Sequence, residues 1–204
     1  MSIDCRQRLT DGLVGLAVNG HSIHVAWSHA PKQQCLASAI KVRTSLDGGK
    51  SWSKRRTITE RRSYGWPELD ARGKTVVATV QSPSGSIIVA RSGKNGRNWR
   101  DSRFSPPRGY SFSAADITLM DGKTAVATYV KERIKKRRLI DTRVVSRLSR
   151  DDGRSWQRAK PVTPTARKLR MAANVAANGK RATIVLQTGQ FDGSPRNLVA
   201  SRLR

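Results

Sequence analysis

At 204 residues the chain is long enough for one domain with a sizeable core. Forty Lys and Arg against 14 Asp and Glu give a formal charge of +26. This speaks to partners rather than fold: it points to acidic glycans, nucleic acid or an anionic membrane surface, or to a merely solvated basic exterior. No run approaches the roughly eighteen apolar residues of a membrane span, and residues 1–6 hold no apolar stretch of the signal-peptide kind. The expectation is a cytoplasmic chain, or a mature domain or fragment without its leader.

Along the chain one pattern keeps returning. Asn19-Gly20 is followed by an apolar run over 22–27, and a loop over 28–38 leads to a second run over 40–44. The succession of Gly turn and β-rich run reappears at Arg72-Gly73 before 74–80, at Asp121-Gly122 before 123–130, and at Asn178-Gly179 before 180–186. The four glycines stand 53, 49 and 57 residues apart. Asn-Gly and Asp-Gly between such runs are strong hairpin signals. The second copy reads as four strands: about 67–72, 74–80, 86–91, and a polar one after residue 99. Its third strand has counterparts at 40–44, 142–148 and 197–203. The first and last of these alternate apolar with basic side chains, which suits a sheet that stacks by one face. Residues 131–140 hold the one candidate helical period, without caps; the alternative is a solvated basic hairpin.

Three of the copies continue into an eight-residue corner: Ser45-Leu46-Asp47-Gly48-Gly49-Lys50-Ser51-Trp52, Ser92-Gly93-Lys94-Asn95-Gly96-Arg97-Asn98-Trp99 and Ser149-Arg150-Asp151-Asp152-Gly153-Arg154-Ser155-Trp156. Gly49, Gly96 and Gly153 supply the positive φ of a tight turn. Asp47 and Asp151 are expected to accept hydrogen bonds from turn amides, with Ser45, Ser92 and Ser149 doing so more weakly. Trp52, Trp99 and Trp156 are expected to be apolar anchors tying each turn to the sheet beneath. Lys94 stands where the second corner should carry Asp. All of this is turn chemistry, so these residues are read as structural.

A repeated module of four strands with a Ser/Asp/Gly/Trp corner resembles the Asp-box, or BNR repeat, of sialidase-like β-propellers. The resemblance implies an all-β propeller of four-stranded blades, with the boxes as structural turns away from the ligand face. The repeats are placed at about 11–59, 66–104, 114–163 and 171–204 within a single domain, 1–204. The fourth copy reaches Arg204 without a box, and residues 4–10 resemble the post-box strands 54–59 and 157–163. Residues 4–10 are therefore expected to complete the last blade and close a four-bladed ring, since closure removes sticky sheet edges. Alternatively, the chain is a fragment of a six- or seven-bladed propeller, as the family mostly has more than four blades. The family is often secreted.

In such a fold the box turns and Gly turns share one face, and ligand chemistry sits on the loops of the other. Those loops are 28–38, 81–85, 130–141 and 188–196, with blade connections at 60–66, 104–113 and 164–171. They carry the candidate binding residues Arg61, Arg62, Tyr64, Trp66, Arg108, Tyr110, Arg167 and Arg170. Phe112, Lys168 and the run of Lys131, Arg133, Lys135, Lys136, Arg137 and Arg138 lie beside them. Arg offers a rigid fork of donors to carboxylate, sulfate or phosphate, and aromatics offer a stacking surface to a sugar or base. The expected partner is an acidic glycan or another polyanion, with nucleic acid held non-specifically. A protein-interaction platform is a further reading, because fold does not fix function.

A catalytic reading has less behind it. Sialidases of this kind use an Arg triad, a Tyr nucleophile paired with Glu, and an Asp acid/base. The F/Y-R-I-P segment that carries their first Arg is absent here. Tyr64 or Tyr110 with Glu60 or Glu68, and Asp192 as acid, are conceivable, but no motif selects them. No phosphate-binding Gly loop or nucleophile elbow occurs. No cofactor or metal is implied: His21, His24 and His29 lack partners at ligand spacing. Cys5 and Cys35 are read as free thiols, since ring closure would set them at opposite ends of the blades.

Overall fold

The computed structural model describes residues 11–29, 39–59, 64–136, 138–164, 169–189 and 197–203. Their regular structure is strand throughout. The first sheet runs β1 (Asp11–Asn19), β2 (Ser22–His29), β3 (Ala39–Ser45) and β4 (Arg56–Thr59) in sequence order. The second runs β5 (Tyr64–Arg72), β6 (Thr75–Gln81), β7 (Ile87–Ser92) and β8 (Arg100–Phe104). The third runs β9 (Tyr110–Leu119), β10 (Ala125–Lys135), β11 (Arg138–Ser149) and β12 (Lys160–Pro161). The fourth has β13 (Leu169–Asn178), β14 (Arg181–Gly189) and β15 (Asn197–Leu203). Each sheet is an up-and-down meander, the unit that the Gly-turn period predicts. Among the described residues no helix is long and apolar enough to cross a membrane. Residues 4–10, expected to complete the fourth sheet, lie outside the described residues, as do Cys5 and Cys35.

The chain forms two compact units, Met1–Pro83 with Ile88–Ser102, and Ser84–Ile87 with Arg103–Arg204. In the first, Ala26, Ile40, Val42 and Ile58 share one core with Ala78, Val80, Ile88 and Ala90. Gly15 of β1 faces β5 so closely that a Cβ there would stand 1.8 Å from the Pro67 carbonyl oxygen. In the second unit, Met120, Val126, Val130 and Val144 bury against Val175, Ala182, Ile184 and Leu186. Asp116 Oδ2 accepts the Val175 amide at 2.7 Å, which pins β9 to β13. Covering apolar strand faces in this way is the main source of stability.

The corners behave as their residue types dictate. Ser45 Oγ donates to Asp47 Oδ1 (2.7 Å) and accepts the Gly49 amide (2.8 Å), while Asp47 Oδ1 accepts the Ser51 amide (2.9 Å). Ser149, Asp151, Gly153 and Ser155 repeat the same bonds at 2.7, 2.8 and 2.9 Å. Each corner is also tied to the turn between the first two strands of its own sheet. The Gly48 amide donates to His21 O, Asn95 to Lys74 O and Asp152 to Lys123 O, at 2.9, 2.9 and 2.7 Å. Within each of these three sheets, box and Gly turn therefore share one end.

The Trp expectation needs correcting. Trp52 is 41% exposed, and its indole N–H donates to Gly49 O at 3.1 Å, so it closes its own turn more than it anchors the sheet. Trp99 makes the same bond to Gly96 O at 3.0 Å but does pack on the core of its unit. Trp156 lies edge-on to Phe104, with centroids 5.5 Å apart, and its N–H is buried without a partner.

The connections are also shorter than expected. Residues 131–135 and 138–140 are not helical but form the arms of a basic hairpin, the alternative read from the sequence: β10 continues to Lys135 and β11 begins at Arg138. Pairing decides this, because β10 is flanked on both sides, with Arg133 opposite both Asp141 and Tyr110. Likewise β5, β9 and β13 begin at Tyr64, Tyr110 and Leu169, ahead of the 66, 114 and 171 read from the repeat.

Candidate functional site

The third sheet carries several of the residues that the sequence marks as candidates for ligand binding. Its box corner and Gly122 turn sit at one end. The β10–β11 tip lies at the other, roughly 30 Å away at about 3.3 Å per residue. Strand alternation then sorts the side chains. Val126, Val130 and Val144 go into the core against the fourth sheet, so Tyr129, Lys131 and Arg133 of β10 and Arg143, Val145 and Arg147 of β11 project from the opposite flank. The tip is basic because its apolar residues are exposed and few: Ile134, Leu139 and Ile140 are each about two-fifths exposed.

At this far end the 104–113 connection joins the hairpin. The Ile134 amide donates to Gly109 O at 2.9 Å, which holds the exposed Arg108 beside the tip. The Lys131 ammonium lies over the Tyr110 ring, 4.1 Å from its centroid. A cation held on an aromatic face in this way is worth about 0.5–1 kcal/mol at exposed sites. Burial, then the neighbouring Arg143 charge, lowers the Lys131 pKa, and Asp141 opposes them. Arg133 meets Asp141 at 3.8 Å, an open contact on a half-exposed guanidinium that contributes little. Ser113 donates its hydroxyl to the Glu132 carboxylate. The end therefore offers an excess of cations around one stacked aromatic, which suits an anionic or sugar-bearing ligand.

Arg108, Tyr110, Lys131 and Arg133 are thus brought together. Trp66 lies in β5 of the other unit and is 64% exposed. Tyr64 opens β5, and Arg170 lies in β13. Arg61, Arg62, Arg167, Lys168 and Arg137 lie outside the described residues, as do Glu60 and Asp192. Of the conceivable catalytic pairings, Glu68 sits opposite Thr79 in β5–β6, and the group packed on the Tyr110 ring is the Lys131 ammonium. His24 is buried, with Nδ1 2.9 Å from Thr44 Oγ1, and burial lowers its pKa. Among the described residues, no three His, Cys, Asp or Glu side chains gather as metal ligands would.

Sequence reasoning passed over Arg143, Arg147 and Arg158. Their relation depends on register: Lys131 stands opposite Arg143, and Ala127 opposite Arg147. Only the parity of 129, 131, 143, 145 and 147 in paired strands could have signalled a shared flank.

No family model and no curated protein matches the chain. Solved structures do resemble it. A sialidase from Hadza microbes, Hz136, aligns with a TM-score of 0.62 at 16% identity over 94% of this chain and 44% of the sialidase. An α-L-arabinanase from Penicillium chrysogenum complexed with arabinobiose aligns at 0.60 and 13% identity, over 95% of this chain and 62% of its own. A Dyadobacter fermentans protein of unknown function aligns at 0.66 and 15%, over 94% and 65%. These likenesses show the fold alone, an all-β architecture of the β-propeller type. The chain spans about half to two thirds of the length of these structures.

Proposed function

We propose that this chain is a non-catalytic, sialidase-like propeller that binds an anionic ligand, an acidic glycan or another polyanion, at the strand ends remote from its Asp-boxes. The observation that carries the reading is the far end of the third sheet, where Lys131 lies over the Tyr110 ring, Arg133 stands opposite Tyr110 in the sheet, and the backbone beside Arg108 is bonded to the hairpin. The formal charge of +26 makes accumulation of polyanions at such a surface favourable. In this reading Arg61, Arg62, Tyr64, Trp66, Arg167 and Arg170 contribute to binding as well. Nucleic acid would be held by the same charges without sequence preference.

Retention on immobilised heparin across a salt series tests the proposal. Neutralising Arg61, Arg62, Arg108 and Arg170 together should abolish most retention and flatten its salt dependence. Unchanged retention would remove the assignment.

A second reading is a glycoside hydrolase of sialidase type, or the remnant of one. It is favoured by the names of the resembling structures, a sialidase and an arabinanase. Release of fluorophore from a sialoside or arabinofuranoside by the purified chain would establish it in place of the first. A protein-interaction platform would instead show no salt-dependent heparin retention.

A further inference from the structure

The flank of the third sheet that faces away from the fourth holds a feature distinct from the strand ends. A cavity of about 240 Å³ opens there, within the second unit. Its floor is built from Phe112, Tyr129 and Val145, which are 4%, 0% and 3% exposed. The Phe112 and Tyr129 rings pack with centroids 4.7 Å apart. Four cations line its walls: Lys131 of β10, Arg143 and Arg147 of β11, and Arg158 from the segment that returns to β12. Among the described residues no carboxylate shares the lining.

A sheet flank gathers four cations at a cost. Like charges on paired strands repel, and Lys131 stands directly opposite Arg143. Arg147 is held in place from two sides. Its Nε donates to the buried Tyr129 hydroxyl at 3.1 Å, and its guanidinium lies 4.3 Å from the Phe104 ring centroid. Its terminal nitrogens have no hydrogen-bond partner among the described residues. Arg143 and Arg158 form no ion pair with any described residue. Burial and the Arg143 charge disfavour the charged form of Lys131 and Asp141 favours it, and an anion placed between Lys131 and Arg143 would be attracted by both.

We infer that this cavity is a binding site for a tetrahedral oxyanion, the sulfate or phosphate group of a small ester such as a monosaccharide sulfate or phosphate. Three guanidiniums and an ammonium match several oxygens at once, and a doubly charged group satisfies them better than a single carboxylate does. The volume lies below the usual range of about 300–1,000 Å³ for whole drug-sized ligands, which limits the occupant to one anionic group and part of one ring. The aromatic and Val145 floor supplies the apolar side of that ring's seat. Lys131 is shared with the strand end, but Arg143, Arg147 and Arg158 belong to the flank alone, so the assignment does not rest on the polyanion reading of the strand ends.

Isothermal titration at fixed ionic strength tests it, with sodium sulfate, sodium phosphate, glucose 6-sulfate, glucose 6-phosphate and acetate as separate probes. Saturable binding of the sulfates or phosphates, and none of acetate, is expected. The tighter of the two series identifies which ester the site prefers. Hydrogen bonds to charged groups contribute roughly 1.5–3 kcal/mol, so R143Q should weaken binding about tenfold or more, as should R158Q. Arg158 is exposed on the rim, so R158Q should fold normally, which its circular dichroism can confirm. R108Q, outside the cavity, should leave these affinities unchanged while reducing heparin retention. Acetate binding as well as sulfate and phosphate, full affinity in R158Q, or no saturable binding by any probe would overturn the assignment.

Discussion

Gly96 shows how tightly the second corner is built. Its φ is +71°, and a Cβ there would stand 2.7 Å from Thr44 Oγ1 and 3.2 Å from His24 Nδ1. Backbone strain and steric conflict therefore act together. Gly96→Ala should destabilise the fold by about 2 kcal/mol or more, read as a drop in the denaturant midpoint. The acids of the other corners act through protons. Bonds from the Ser51 hydroxyl and amide, then from Ser45, lower the Asp47 pKa from an ordinary 3.8 to about 2; Ser155 and Ser149 lower Asp151 further still. Since the folded pKa is depressed, the unfolded chain binds more protons, and this stability is present above about pH 4 and lost as pH falls through 2. Asp47→Asn with Asp151→Asn should flatten that acid limb in melting curves. Lys94→Asp should do the reverse: with Ser92 and Asn98 in the donor positions, it should raise the melting temperature at neutral pH and steepen the fall below pH 4. An unchanged acid limb in both variants would show that the corners do not hold their acids as described.

At the scale of strands and turns, much of the structure was legible. Gly20, Gly73, Gly122 and Gly179 mark local hairpins, and local signals do not depend on tertiary context. The corners were legible for the same reason, down to the Ser and Asp acceptors. The ends of strands were not. The basic run from Lys131 was legible as a hairpin but not as regular strand, because its charges mask the alternation; pairing of Arg133 with Tyr110 and Asp141 carries β10 on to Lys135. Trp52 also misled: an indole reads as core, whereas its N–H serves a turn carbonyl in an exposed position. The flank cations Arg143, Arg147 and Arg158 were invisible because register, rather than any motif, places them together. The approach of β1 to β5 is testable in the same terms. Gly15→Ala should clash with the Pro67 carbonyl and cost about 1–3 kcal/mol, the usual range for overpacking, at a position that needs no left-handed backbone. A neutral effect in denaturant titration would mean that the two strands lie further apart.

For the molecule as a whole, fold and function separate. Four meanders, three of them running into a Ser/Gly/Trp corner, give a fold of the β-propeller type, yet one fold supports unrelated activities. Charge is the property that distinguishes this chain: +26 over 204 residues. It gains chemical meaning where pairing gathers it, at the strand ends around Tyr110. Salt screens diffuse attraction, whereas a defined set of phosphate- or sulfate-like contacts gives a slope set by the number of ions displaced. The most direct measurement is the slope of log affinity for heparin against log salt, for the parent chain and for the variant with Arg61, Arg62, Arg108 and Arg170 neutralised. The account predicts a steep slope for the parent and a clearly shallower one, with weaker binding, for the variant. Equal slopes and equal affinities would contradict it.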